Sequence, residues 1–344
     1  VVSPYAGLGS EAFWRTAVAE SDPALDPALY QPRRKITPET RIFTAGSCFA
    51  QHVSRALKAA GCGVIDTERV TPGLPGHLTR AFGYGLYSAR FGNIYTLRQF
   101  RQLIEEAAGD HSPACPIWTR NGRFFDALRP GVEPEGLGSE DAVRKSRAIH
   151  LQAVRDALSQ TDLLVFTLGL TECWEHTETG TVYPTAPATI AGEYDPEVFS
   201  FRNLAYEDCI EDFIELRGHL AELNPDLQFL LTVSPVPLTA TATGSHVLTA
   251  STHSKAILRT VCGALCEADQ AVDYFPSYEL VTAPRPDGSH WFEPNMRSVK
   301  PDGVARVMAA FLRAHSLTMA ETEAPKETND DPVCEEVLLE AFSK

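Results

Sequence analysis

The stretch RIFTAGSCFAQHVSRALKAAG, Arg41 to Gly61, sets the terms for the whole chain. A short apolar run, Ile42 to Ala45, stops at Gly46-Ser47-Cys48. A helical pattern starts at once, with Phe49, Val53, Ala56, Leu57 and Ala60 on one face. The spelling is strand, glycine, two side chains able to act as nucleophiles, helix. A serine at a helix N-terminus has its alkoxide, and any oxyanion forming nearby, favoured by free N–H groups and the helix dipole. The same serine could simply cap the helix. A thiolate at Cys48 would be favoured by the same field. Local pattern leaves all three readings open.

Outside this stretch, composition narrows the possibilities. The chain has 344 residues, of which 44% are apolar, enough for a large core. A net charge of −15 disfavours nucleic acid and anionic membrane surfaces as partners, and a small molecule fits better. No apolar run approaches the roughly 20 residues of a membrane span. The opening VVSPYAGLGSEAFW lacks the charged start and apolar run of a signal peptide. The 8 cysteines are scattered, without CxxC or the density of a disulfide framework, so a reduced, cytoplasmic setting is expected. Cys262 and Cys266 are placed to share a helix face, but two ligands do not make a zinc site. No metal or cofactor is expected.

Residues 1–38, rich in Pro and Tyr, read as an N-terminal wrap with one helix around Glu11–Glu20. The main domain covers 39–316, and an acidic tail follows over 317–344, mobile but with PVCEEVLLEAF able to dock as a short helix. Within the domain, helical spacing predicts helices at Thr96–Ala107, Ser139–Ser159, Tyr206–Leu223, about Thr252–Ala268 and Pro301–Ala314. Between them lie DLLVFTLGL (Asp162–Leu170), a continuous apolar run of the buried-strand kind, FLLTVSPVPL (Phe229–Leu238), strand-like up to Pro235, and AVDYF, a short strand. WTRNGRFFDALRP suits a hairpin or irregular loop. Strands alternating with helices predict a parallel α/β sheet, whose ligands gather at the carboxyl ends of its strands. That rule singles out Gly46-Ser47, TLGLTE and SPVPL.

TAGSCFAQHV is similar to the motif that gives the GSCFA family its name, a family related to the SGNH (GDSL-type) hydrolases. SARFGNIYTLRQF, FTLGLTECW, LTVSPVPLTAT with the following HVL and SKAILR, VDYFPSYEL and RSVKPDGVARVM resemble further family blocks in the same order. The resemblance spans about residues 4–315. It implies a three-layer α/β/α, flavodoxin-like fold with a central parallel sheet. It also implies that Ser47 is the nucleophile, facing the cleft while Cys48 packs beneath the turn. The N–H groups of Ser47 and Gly92, and the side chain of Asn93, would then hold the oxyanion. Where SGNH proteins carry Gly-x-Asn-Asp, this chain has Gly169-Leu170-Thr171-Glu172, so that Thr171 stands at the position of the amide donor. Losing one oxyanion donor typically costs about 3–4 kcal/mol in the transition state.

A serine nucleophile needs a base within hydrogen-bond reach. SGNH enzymes place Asp-x-x-His just before the last helix, and here RSVK occupies that place. Upstream, Asp287-Gly288-Ser289-His290 has the required spelling, although Pro-Asp-Gly is also a turn signal. His246, after SPVPL, is the competing base, and His52 lies in the helix after Ser47. Glu172 and Glu175 could bind a polar group, and Asp126 and Arg129 could pair or clamp a carboxylate. Lys255 sits near the start of a helix, where a positive charge is unfavourable, so that it could face a ligand or lie on the helix surface. The function implied is acyl-group cleavage or transfer on a small ester or thioester through acyl-Ser47. A non-catalytic small-molecule-binding protein on the same fold, and a lyase reusing the cleft, are the competing readings.

Overall fold

A computed structural model describes residues 3–70, 73–318 and 334–343. Its centre is a five-stranded parallel sheet made of β1 (Arg41–Gly46), β2 (Gly63–Val64), β3 (Leu163–Leu168), β4 (Gln228–Val233) and β5 (Val272–Tyr274). The strand order is β2-β1-β3-β4-β5, the flavodoxin-like arrangement, whose topological switch point lies between β1 and β3. Here Ile42 is level with Leu163 and Gly46 with Thr167. Arg41 and Asp162 pin this register at its start, with N–H and guanidinium bonds to the carboxylate.

Alternation along the strands sorts two cores, one on each face. Phe43, Ala45, Leu164, Phe166, Phe229 and Leu231 point to one side. There they meet helices α2 (Leu97–Ala108), α3 (Glu140–Leu158), α4 (Tyr206–Leu223) and α5 (Val247–Ala268). Ile42, Leu163, Val165 and Leu230 point to the other, against α1 (Ala50–Ala59) and α6 (Pro301–Ala314). Both faces are covered, which is why the strands read as unbroken apolar runs rather than as alternating ones. The molecule is thus a three-layer α/β fold with a parallel sheet flanked by helices.

Two smaller pieces are added to this frame. Ile117–Arg120 and Arg123–Asp126 form a hairpin around Asn121-Gly122, both at positive φ, as a tight two-residue turn requires. Glu172–His176 pairs antiparallel with Val182–Tyr183 and with Phe199–Asn203. The N-terminal residues run along the edge at β5: Arg33 donates to the carbonyls of Cys266, Asp269 and Val272, and Tyr30 to Asp273.

The expected helices at Tyr206–Leu223 and Pro301–Ala314 have those limits. The expected helix around Glu11–Glu20 is replaced by a 3-10 turn (Ser10–Ala12) and a π turn (Arg15–Ala19). Its large apolar residues, Phe13 and Trp14, are exposed, so no packing face holds an α-helix together there. Helix α5 begins five residues earlier than its apolar spacing implied, because the His246 side chain accepts from Leu248 N–H and starts it. Most of the acidic tail lies outside the described residues, but Glu335–Phe342 forms a 3-10 turn docked on the domain. Among the described residues no helix is long and apolar enough to cross a membrane.

Candidate active-site cleft

The sheet delivers Ser47 to the carboxyl end of β1, at the switch point. Gly46 sits at φ +131°, and a Cβ there would lie 2.4 Å from the Thr167 carbonyl oxygen and 2.6 Å from its nitrogen. Only glycine lets β1 turn away while pressed against β3. The turn is fixed by Ser47 N–H on Thr167 O (3.0 Å) and Ile94 N–H on Gly46 O (2.9 Å). Helix α1 starts at Ala50 behind Phe49, with no side-chain cap, so Ser47 does not cap it. Ser47 is 2% exposed, and its Oγ has no hydrogen-bond partner among the described residues. A buried hydroxyl in that state costs about 1–3 kcal/mol and calls for an explanation.

Beside it stands a polar layer from the SARFGNIY segment. The Tyr87 hydroxyl reaches both the Ser47 carbonyl (3.0 Å) and Asn93 Oδ1 (2.5 Å). Gln51 Nε2 donates to the Tyr87 hydroxyl oxygen and to Asn93 Oδ1. With its oxygen held this way, Asn93 presents its NH2, which donates to the Glu335 carboxylate. The Tyr95 hydroxyl donates to the same carboxylate oxygen at 3.0 Å. Burial raises the pKa values of Tyr87 and Tyr95 well above the usual phenol range, so both remain donors.

Across the cleft lie two cations. Lys255, on α5 and 3% exposed, donates through Nζ to the Gly169 carbonyl at 2.5 Å. Burial pulls its pKa down to about 8. Arg297, in the loop before α6, anchors its Nε on Pro237 O (3.2 Å) and reaches Glu336 Oε2 at 3.1 Å. Burial and the neighbouring Cys334 push Glu336 up to about 7, with Arg297 and Lys255 opposing them. Cys334 Sγ lies 3.8 Å from the Arg297 guanidinium and 4.0 Å from the Tyr95 hydroxyl. The neighbouring Cys48 thiol and Arg297 bring Cys334 down to about 5 against burial, whereas Cys334 and burial push Cys48 up.

Ser47, Cys48, Tyr95, Gly169, Ser234, Val236 and Glu336 are among the residues that line a partly open cavity of about 10 Å3. That is room for about one water. Ser47 and Cys48 both line it, rather than Cys48 packing beneath the turn as expected.

The other residues singled out in the sequence fall into separate groups. Gly169 lies against the serine, where an added Cβ would stand 3.0 Å from Ser47 Cβ. Gly92, at φ +73°, packs against Glu335. The Ser47 N–H, expected to hold an oxyanion, is bonded to Thr167 O instead. Thr171 is fully buried and its hydroxyl donates to Asn203 Oδ1 at 2.7 Å, so it does not present that proton to the cleft. Glu172 accepts from Thr241 Oγ1 at 2.8 Å, outside the cavity wall.

The structure does not bring the candidate bases to Ser47. His290 is exposed, its Nδ1 accepts from Phe292 N–H, and Asp287 binds Ser289 and Arg285 rather than the imidazole. His246 is exposed at the start of α5. His52 lies on α1 against Arg55, and Asp126 pairs with Arg129 at 2.8 Å. Tyr95, Arg297, Glu335 and Glu336 were not legible as site residues. The one available signal was RSVK, a cationic spelling directly before α6.

A search among curated proteins gives no match. Among solved structures, a carbohydrate esterase family 3 protein from Talaromyces cellulolyticus is 10% identical, with 79% of this chain and 94% of that chain covered at a TM-score of 0.35. The periplasmic domain of the lipopolysaccharide acetyltransferase of Salmonella ser. Paratyphi A is 11% identical, with 76% and 95% covered at a TM-score of 0.27. Both are distant likenesses. The GSCFA family model matches residues 41–311, from the first residue of β1 to the last turn of α6, which takes in Ser47, Asn93, Gly169, Lys255 and Arg297 but not the C-terminal turn: the chain belongs to the GSCFA family.

Proposed function

We propose that the cleft performs acyl-group chemistry on a small ester or thioester through Ser47. The observation that carries this reading is the buried Ser47 Oγ, without a partner, at the carboxyl end of β1 and on the wall of a cavity. The position suits a nucleophile, and nothing about the hydroxyl serves the fold. The base in this reading is Lys255, held on the carbonyl of Gly169, the residue packed against Ser47, and lowered enough by burial to be partly neutral near pH 8; like the histidines, it makes no hydrogen bond to Ser47 Oγ in this structure.

In the proposed reaction Oγ attacks the carbonyl carbon and its proton passes to neutral Lys255. The Asn93 NH2, which already holds a carboxylate oxygen, donates to the tetrahedral oxyanion. Collapse expels the alcohol or thiol with the proton from Lys255, leaving acyl-Ser47. Water, or an acceptor hydroxyl or amine, then takes the acyl group by the reverse proton path.

A fluorophosphonate serine probe tests the reading. Labelling of Ser47 is expected, lost in Ser47→Ala and reduced at least 100-fold in Lys255→Met, with a rate that rises through about pH 8. Failure to label Ser47 in Glu336→Gln, a variant with the cavity wall relieved of its carboxylate, would overturn it. A second reading, a binding protein without turnover, is favoured by the two histidines that do not reach Ser47. It predicts that a ligand raises the melting temperature while no product forms over hours.

A further inference from the structure

The C-terminal turn docks with its polarity inverted. Glu335 is 7% exposed, while Val337, Leu338 and Phe342 of the same turn are 46%, 47% and 66% exposed. A short segment held by the hydrophobic effect would bury the second group and leave the first in water. Here the carboxylates are what the domain recognises. Glu335 meets the Asn93 amide and the Tyr95 hydroxyl, and Glu336 meets the Arg297 guanidinium. Buried carboxylates persist only where charge and donors meet them. Arg297 provides the charge, held in place by Pro237 O, and the Lys255 ammonium adds to the field at Glu336. With Glu336 in place, the remaining cavity of about 10 Å3 admits no acyl substrate.

We propose that Arg297, backed by Lys255, forms a carboxylate-binding subsite of the Ser47 cleft, and that the chain's own Glu336 fills it in competition with a small carboxylate-bearing ligand. The ligand class is short dicarboxylic acids and their half-esters or half-thioesters, whose free carboxylate takes the place of Glu336. This places a substrate class on the cleft read above, but binding at the subsite needs no reaction at Ser47.

The test uses the full chain, with glutarate as the probe and glutaramide as its uncharged control. Two readouts follow the segment: deuterium uptake over Glu335–Phe342, and the rate at which diamide joins Cys48 to Cys334, mapped by mass spectrometry. That oxidation takes one hydrogen from each thiol and reduces diamide to its hydrazine. Glutarate is expected to raise the uptake and slow the crosslink at least fivefold, saturably, with glutaramide inert. Glu336→Gln should bind glutarate at least tenfold more tightly than the wild type, and Arg297→Lys at least tenfold more weakly than Glu336→Gln in the same background. If glutarate moves neither readout and Glu336→Gln binds it no more tightly, the subsite is wrong, whatever the serine probe gives. If glutarate binds as expected while Ser47 stays unlabelled, the acyl reading alone falls.

Discussion

Gly46→Ala is the substitution whose effect the geometry defines most closely. The added Cβ would stand 2.4, 2.6 and 2.9 Å from the oxygen, nitrogen and Cα of Thr167, all main-chain atoms of β3. No side-chain rotation relieves that contact, so β1 and β3 must separate at their carboxyl ends. Holding alanine at φ +131° costs about 1–3 kcal/mol. Overpacking adds about 1–3 kcal/mol. Straining the Ser47–Thr167 and Ile94–Gly46 backbone bonds adds about 1 kcal/mol. The sum is about 3–7 kcal/mol, a large part of the roughly 5–15 kcal/mol that holds a domain together. The control is Gly180→Ala, at φ +67° but with no atom within 4 Å of the added Cβ, which isolates backbone strain at about 1 kcal/mol. Urea titrations followed by circular dichroism give both values. If Gly46→Ala loses no more stability than Gly180→Ala, then the close crossing of β1 and β3 is not what requires the glycine.

Other expectations follow from the packing. Phe166, 1% exposed and stacked on Phe100 with centroids 4.9 Å apart, should lose about 3–5 kcal/mol as Phe166→Ala and under about 1.5 as Phe166→Leu in the same urea assay. Asp212, fully buried between Arg98 and Arg101 at 3.1 and 3.3 Å, should cost about 3 kcal/mol as Asp212→Ala, because two guanidinium groups lose their shared counter-charge. Acid should weaken the fold through His150 and Glu68, joined at 2.6 Å. Burial, with Arg129, lowers His150 to about 4, while His150 and Arg129 outweigh burial and lower Glu68 to about 2. Unfolded, the two groups take up protons near their ordinary values of 6.5 and 4.5, so stability is lost as pH falls from about 6.5 to 4 through His150 and from about 4.5 to 2 through Glu68. His150→Asn should flatten the first part of that slope relative to wild type; an unchanged slope would remove His150 as its cause.

Near-neighbour pattern was enough for the frame. The unbroken apolar runs at Leu163–Leu168 and Gln228–Val233 are strands buried on both faces, and α4 and α6 follow from helical spacing alone. The short runs before each glycine or hydroxyl residue also marked which strand ends carry the cleft. Gly46-Ser47, Gly169 and Ser234 meet there because parallel strands end on one side of the sheet. Pattern of this kind is local, and it says which way a side chain points but not what it meets. The contents of the cleft are of the other kind. Asn93 and Glu335 are 242 positions apart, and Tyr95 and Glu335 240 apart, so no window of sequence holds both partners. The Asp-Gly-Ser-His spelling promised a dyad, but a turn closed by the Asp287 carboxylate on Ser289 keeps the aspartate from the imidazole. Lys255 could be singled out from its unfavourable place near a helix start, whereas Arg297 and Glu336 became site residues only once the loop before α6 and the C-terminal turn met over β4. The sequence determined the parallel sheet, its buried strands and the serine at the carboxyl end of the first of them. The tertiary structure alone decided what faces that serine, because charge pairing across the cleft depends on distance in space.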